Sequence, residues 1–111
     1  MIELFYNTSE QCSKITTELY STSFSSAIKL LHKSLRTPIY NIYGFVRFAD
    51  EIVDTFHDYD KAFLFSKFEQ DLTDALSHKI SLNPILNSFQ HTVNKYHIPQ
   101  EMIAAFMKSM K

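Results

Sequence analysis

Three observations predict an all-helical chain. One glycine and three prolines in 111 residues leave too few turn formers for a protein built of hairpins. Apolar side chains recur at three- and four-residue spacing along most of the length. Short breaks containing Ser, Thr, Asp or Pro separate those runs, as helix caps and stops do.

The first helix is expected over residues 9 to 31, capped by Thr8 or Ser9, with Ile15, Leu19, Ala27, Ile28 and Leu31 on its buried side. "HKSLRTP" interrupts it. Ser34 or Thr37 can cap a second helix that holds Pro38 in its opening turn and runs to about Phe56. After "HDYD", Asp58 or Asp60 caps a third helix through "KAFLFSKFEQDLTDALSHK", with Ala62, Phe65, Phe68, Leu72 and Leu76 at core spacing. A fourth covers about Pro84 to Tyr96, and Pro99 opens a fifth. That last helix carries no capping signal before Lys111, so residues 1–111 are expected to be the N-terminal portion of a longer single domain. Ten Phe and six Tyr supply ample core material, and the surplus is expected to leave apolar surface open to self-association.

The same totals exclude several functions. With Gly44 as the only glycine, neither a P-loop nor a dinucleotide-binding turn can be built. Eleven basic and twelve acidic residues nearly cancel, so no long-range field favours nucleic acid or an acidic membrane. Cys12 is alone, which rules out an internal disulfide and a cysteine-rich zinc site. The start does not read as a signal peptide, and no run reaches the roughly 18 apolar residues of a membrane span. A cytoplasmic protein is expected, soluble or peripherally associated with a membrane.

The second helix is the unusual element. "FVRFADEIVDTFHD", residues 45 to 58, is apolar almost all round, yet holds four ionisable residues in its middle. Tyr43, Arg47, Asp50 and Asp54 fall within an arc of about 60°, with Ile42, Phe45, Val46, Ala49, Ile52 and Val53 opposite. A narrow polar seam in an apolar surround suits a helix lining a cavity. Asp50 and Asp54 stand one turn apart, where like charges repel and a cation between them relieves the cost. Oxygen-only ligands favour a hard cation, and magnesium is usually held by one or two carboxylates with phosphate oxygens and water. Arg47 offers a fork for the same phosphate. The bland alternative is a solvated Asp pair beside a surface Arg–Asp contact. A di-iron site would need two Glu-x-x-His pairs, and only Asp54-x-x-His57 comes near.

"YSTSFSSAIKLL" followed by "IYNIYGFVRFADEIVD" resembles the opening of the squalene/phytoene synthase family, which carries S-x-S-F on one helix and Y-x-x-x-R-x-x-D-[DE]-x-x-D on the next. "YHIPQEMIAAFMKSMK" is similar to a later segment of the same family. The resemblance implies the N-terminal helices of an isoprenoid-synthase bundle and head-to-head condensation of prenyl diphosphates, farnesyl or geranylgeranyl, in isoprenoid or carotenoid biosynthesis. Position by position, it implies that Asp50 and Asp54 bind magnesium bridged to the diphosphate, and that Arg47 contacts the diphosphate. Ser21 and Ser23 would lie near it, Tyr43 would be an active-site tyrosine, and Phe24 would face the prenyl chain. His32 and Ile28 depart from the family pattern away from these residues. A second aspartate-rich motif, which the family carries on a later helix, is not found here, so this polypeptide alone is expected to be inactive. No residue speaks for or against NADPH. The alternative function is a non-catalytic helical binding or assembly module of the same descent.

Overall fold

The protein, described over residues 1–111 by a computed structural model, is built of six helices and no strand. They are α1 (Ile2–Tyr20), α2 (Thr22–Ile28), α3 (Lys33–Asp54), α4 (Lys61–His78), α5 (Pro84–Tyr96) and α6 (Gln100–Met110). The all-helical class is as expected, and the fourth expected helix has the bounds of α5.

The first expected helix differs in start, continuity and buried face. It begins at Ile2, so Thr8 and Ser9 are interior residues whose hydroxyls donate to the carbonyls of Leu4 and Phe5. It breaks at Ser21, whose extended backbone ends α1 and whose side chain caps α2 by accepting from the Phe24 N–H. The buried side of α1 is Ser9, Ser13, Thr16 and Thr17, whereas Ile15 and Leu19 are 52% and 79% exposed. Ala27 is also exposed, and of the expected apolar face only Ile28 is buried.

Small hydroxyl residues are buried here because the neighbouring helices come very close. The only glycine lies where α3 crosses α1, and a Cβ on Gly44 would stand 3.0 Å from Ser13 Oγ and 3.3 Å from Ser13 Cα. At that approach the polar atoms of α1 reach those of α5. Ser13 and Ser88 share a hydrogen bond of 2.6 Å, and Asn87 Nδ2 donates to Ser9 Oγ at 3.0 Å. Asn41 Nδ2 of α3 donates to Thr92 Oγ1 of α5 at 3.0 Å. Satisfied in this way, these groups avoid the penalty of a buried unpartnered donor or acceptor, about 1–3 kcal/mol each, although Asn41 Oδ1 is buried with no partner. α5 is buried continuously from Ile85 to Gln90, as the central helix.

The opposite side of α3 builds the apolar core. Phe45 stacks on Phe89 of α5 at 3.9 Å between ring centroids, and also meets Phe68 of α4 and Phe106 of α6. Ala49 and Ile52 of α3, Leu72 and Ala75 of α4, and Ile103 and Met107 of α6 complete that cluster. In α4, Phe68 and Leu72 are buried as expected, Phe65 and Leu76 are half-buried, and Ala62 is exposed. Asp60 caps this helix by accepting from Phe63 N–H. α3 starts earlier than expected, at Lys33, with His32 as its cap, so Pro38 lies inside the helix rather than in its opening turn. Having no N–H, Pro38 leaves the Ser34 carbonyl without its helical donor. The net arrangement gives α3 two faces: Phe45 looks toward α4, α5 and α6, and the polar seam looks toward α1 and α2.

Candidate functional site

The seam is held against the end of α1 and the short α2 by aromatic contacts. α1 and α3 run in the same direction, since Lys14 lies over the Tyr40 ring at 5.9 Å and, about two turns further along both helices, Arg47 lies over the Tyr20 ring at 5.1 Å. α2 returns the other way and stacks Phe24 on Tyr43, 5.1 Å between centroids. Tyr20, Phe24, Tyr43 and Arg47 are thus brought together from three helices. Ser21 lies in the turn that allows this, where its hydroxyl oxygen caps α2 and its own proton stays free to donate. Ser23, one residue beyond Thr22, is exposed.

Arg47 is the most constrained charge in the seam, with 22% of its side chain exposed. Its Nη1 lies 3.4 Å from Asp50 Oδ2, and its Nε lies 3.9 Å from Glu51 Oε2. The second separation is an ion pair too long for a hydrogen bond, and both atoms are buried with no other hydrogen-bond partner. The Glu51 carboxyl is held below its ordinary pKa by the Thr55 hydroxyl first, then by the Tyr20 hydroxyl and by the Arg47 charge. Reciprocally, the nearby Glu51 carboxylate pushes the Tyr20 phenol up. Neither Tyr20 nor Glu51 was singled out as a site residue from sequence. Tyr20 stands immediately before the Ser-x-Ser-Phe run, and Glu51 lies one helical turn beyond Arg47; those two positions were the available signals.

Asp50 is half-buried and Asp54, the last residue of α3, is exposed. Both sit at the negative end of the helix dipole, where a carboxylate is disfavoured by about 0.3–1 kcal/mol. The last turn of α3 contains no basic residue to offset them. Lys61 reaches that end from α4, but its Nζ donates to the Val53 carbonyl, and it lies 3.3 Å from His57 Nδ1. The chain thus carries two carboxylates one turn apart in the worst place on the helix for negative charge. No group of three His, Cys, Asp or Glu side chains converges anywhere in the chain. Two oxygen donors fit magnesium only as part of a shell completed by phosphate oxygens and water, which is how that ion is usually held.

Neither the curated proteins nor the solved structures contain a match to this chain. The family model described as squalene/phytoene synthase matches residues 17–111, a span that takes in the Ser-x-Ser-Phe turn, the whole of α3 and every helix after it, and the chain therefore belongs to the squalene/phytoene synthase family.

Proposed function

We propose that the C-terminal half of α3 and the α1–α2 turn form one wall of a magnesium-dependent prenyl diphosphate site, serving head-to-head condensation of the phytoene or squalene synthase type. The observation that carries this reading is Asp50 and Asp54 one turn apart at the negative end of α3, with Asp50 alone of the two ion-paired, beside an Arg47 held by Tyr20, Asp50 and Glu51. When bound with a diphosphate, magnesium would supply charge neutralisation to the departing group.

The chain's own residues have separable parts in that scheme. Asp50 and Asp54 give metal-ligating oxygens. Arg47 keeps guanidinium donors beyond its two ion pairs, and these suit a phosphate oxygen. The hydroxyls of Ser21 and Ser23 lie at the turn and can donate to the same group. Phe24, 40% exposed, and the Tyr43 ring stacked on it offer an apolar and aromatic wall that excludes water from a reacting prenyl chain.

Titration calorimetry with magnesium and pyrophosphate tests the reading. Each ligand should raise the other's affinity by the same factor, because linkage is reciprocal. An Asp54→Asn chain should lose that coupling. Undiminished coupling in the variant would refute the metal assignment. Absence of coupling in the unaltered chain would favour the non-catalytic assembly module instead.

A further inference from the structure

The corner where α2 meets α3 combines features that the prenyl diphosphate reading does not use. Leu30 is 88% exposed, with Leu31 and Leu35 beside it at 37% and 47%. This is a braced turn: Arg36 Nε donates to the Leu31 carbonyl at 3.1 Å, and its Nη2 to the Lys29 carbonyl at 3.0 Å. His32 adds a cap on the first turn of α3. The backbone that presents the leucines is thus held by hydrogen bonds. Around them, the adjoining cleft is lined by Lys14, Lys29, Lys33 and Arg36, with Glu10 the only acid. In a chain of net charge −1, that is a strong local excess of positive charge. The most exposed leucine elsewhere lacks it. Leu82, 92% exposed, borders a cleft where Asp71 and Asp74 offset Lys67.

We propose that this corner docks on an anionic lipid leaflet, with Leu30, Leu31 and Leu35 entering the interface and Lys14, Lys29 and Lys33 meeting the headgroups. Basic residues beside protruding apolar ones are what such a surface attracts. A second copy of the chain fits poorly, since two basic corners repel and three leucines are far from the roughly 800 Å2 per partner of a stable interface. The corner also lies at the far end of α3 from the carboxylates. The 22 residues of that helix separate them by about 30 Å, so a negative leaflet would not compete with the diphosphate wall.

Co-sedimentation with vesicles tests the proposal. The chain should bind vesicles of phosphatidylcholine containing phosphatidylserine, lose them as salt is raised, and ignore phosphatidylcholine alone. Neutralising Lys29→Gln and Lys33→Gln together should weaken binding by roughly 30-fold, about fivefold per charge. Leu30→Ser should weaken it too, with the salt dependence unchanged. Both sites are exposed, and circular dichroism checks that the helices persist; were the double variant unfolded, Leu30→Ser alone would decide. Asp54→Asn should bind vesicles fully, which separates this proposal from the magnesium reading. Equal binding to both vesicle types, an unaffected double variant, or displacement by millimolar inorganic phosphate would overturn it.

Discussion

Two polar regions of this molecule are handled in opposite ways. Between α1, α3 and α5, hydroxyl and amide groups are buried and paired: Ser9 with Asn87, Ser13 with Ser88, Asn41 with Thr92. At the C-terminal half of α3, Arg47 and Glu51 face each other without a hydrogen bond, and Asp54 points its charge at solvent from an unfavourable helix end. Each of these packing residues finds a partner inside the chain, and Asn41 Oδ1 is the one buried atom there left without one. Those in the proposed ligand wall are left with capacity to spare. On this view, damage to the first region costs stability, and damage to the second costs binding.

The largest stability effect is expected at Asn87. Its Nδ2 donates to Ser9, while its Oδ1 accepts from the Ser81 N–H and from Gln90 Nε2. Asn87→Ala strands three buried or half-buried groups and should cost about 3 kcal/mol in denaturant unfolding. A loss well under 1 kcal/mol would mean that the buried network is not what holds α5. Next comes Gly44→Val, which puts a branched side chain where even a Cβ meets the Ser13 backbone. Driving α1 from α3 should cost about 2 kcal/mol, despite the better helix propensity of valine.

Asp54→Asn is the counterpart in the other region. It should leave the unfolding midpoint unchanged or slightly raised, because it removes a charge from the negative end of α3. Its cost should appear in ligand binding, as a loss of about tenfold or more in the magnesium–pyrophosphate coupling read by calorimetry. A destabilised Asp54→Asn chain would break the division between the two regions.

The two regions also differed in how far they could be read from sequence. The seam was legible because Tyr43, Arg47, Asp50 and Asp54 keep helical spacing within one uninterrupted helix. The face of α1 was not. Its buried stripe, Ser9, Ser13 and Thr17, is polar, and its apolar Ile15 and Leu19 are exposed, so hydrophobic periodicity marked the wrong side. What fixes that face is the close crossing at Gly44, a contact between residues 31 apart in sequence that local pattern does not encode. The break at Ser21 was hidden for a related reason. Serine reads equally well as an interior residue or as a cap, and only packing of Phe24 on Tyr43 turns the chain there. Asp60, a cap, and Pro84, a first-turn residue, announced their helices because both signals act locally.

Ser21 belongs to both regions, and a smaller effect separates its two uses. As the cap of α2 it accepts from Phe24 N–H, so Ser21→Ala should cost about 1 kcal/mol, seen as faster hydrogen exchange at the Phe24 amide. Ser21→Asp keeps a capping oxygen and should restore protection, but it loses the hydroxyl donor and adds negative charge beside the proposed diphosphate position. Ser23→Ala should leave exchange unaltered, since Ser23 is exposed. If Ser21→Asp bound pyrophosphate as well as the unaltered chain, the hydroxyl would serve the fold alone.

The smallest effect is a pH dependence that asks whether Glu51 is part of the seam's structure. Folding lowers its pKa from 4.5, through the Thr55 hydroxyl first and then the Tyr20 hydroxyl and Arg47. A carboxyl with a depressed folded pKa binds fewer protons folded than unfolded, so its contribution is complete above the unfolded value. It fades as pH falls from about 4.5 through the folded pKa. The site is near solvent, which screens the pair, and the contribution should be under about 1 kcal/mol. Glu51→Gln should therefore flatten the fall in stability below that pH and change little at neutrality. Tyr20→Phe should flatten it less, because it removes the second cause and leaves the Thr55 hydroxyl and the ring against Arg47 in place. Urea unfolding between pH 3 and pH 6 would measure all three slopes. Were the Glu51→Gln curve parallel to that of the unaltered chain, Glu51 would hold Arg47 by geometry without an energetic stake in its charge, and the seam would be looser than its ion pairs suggest.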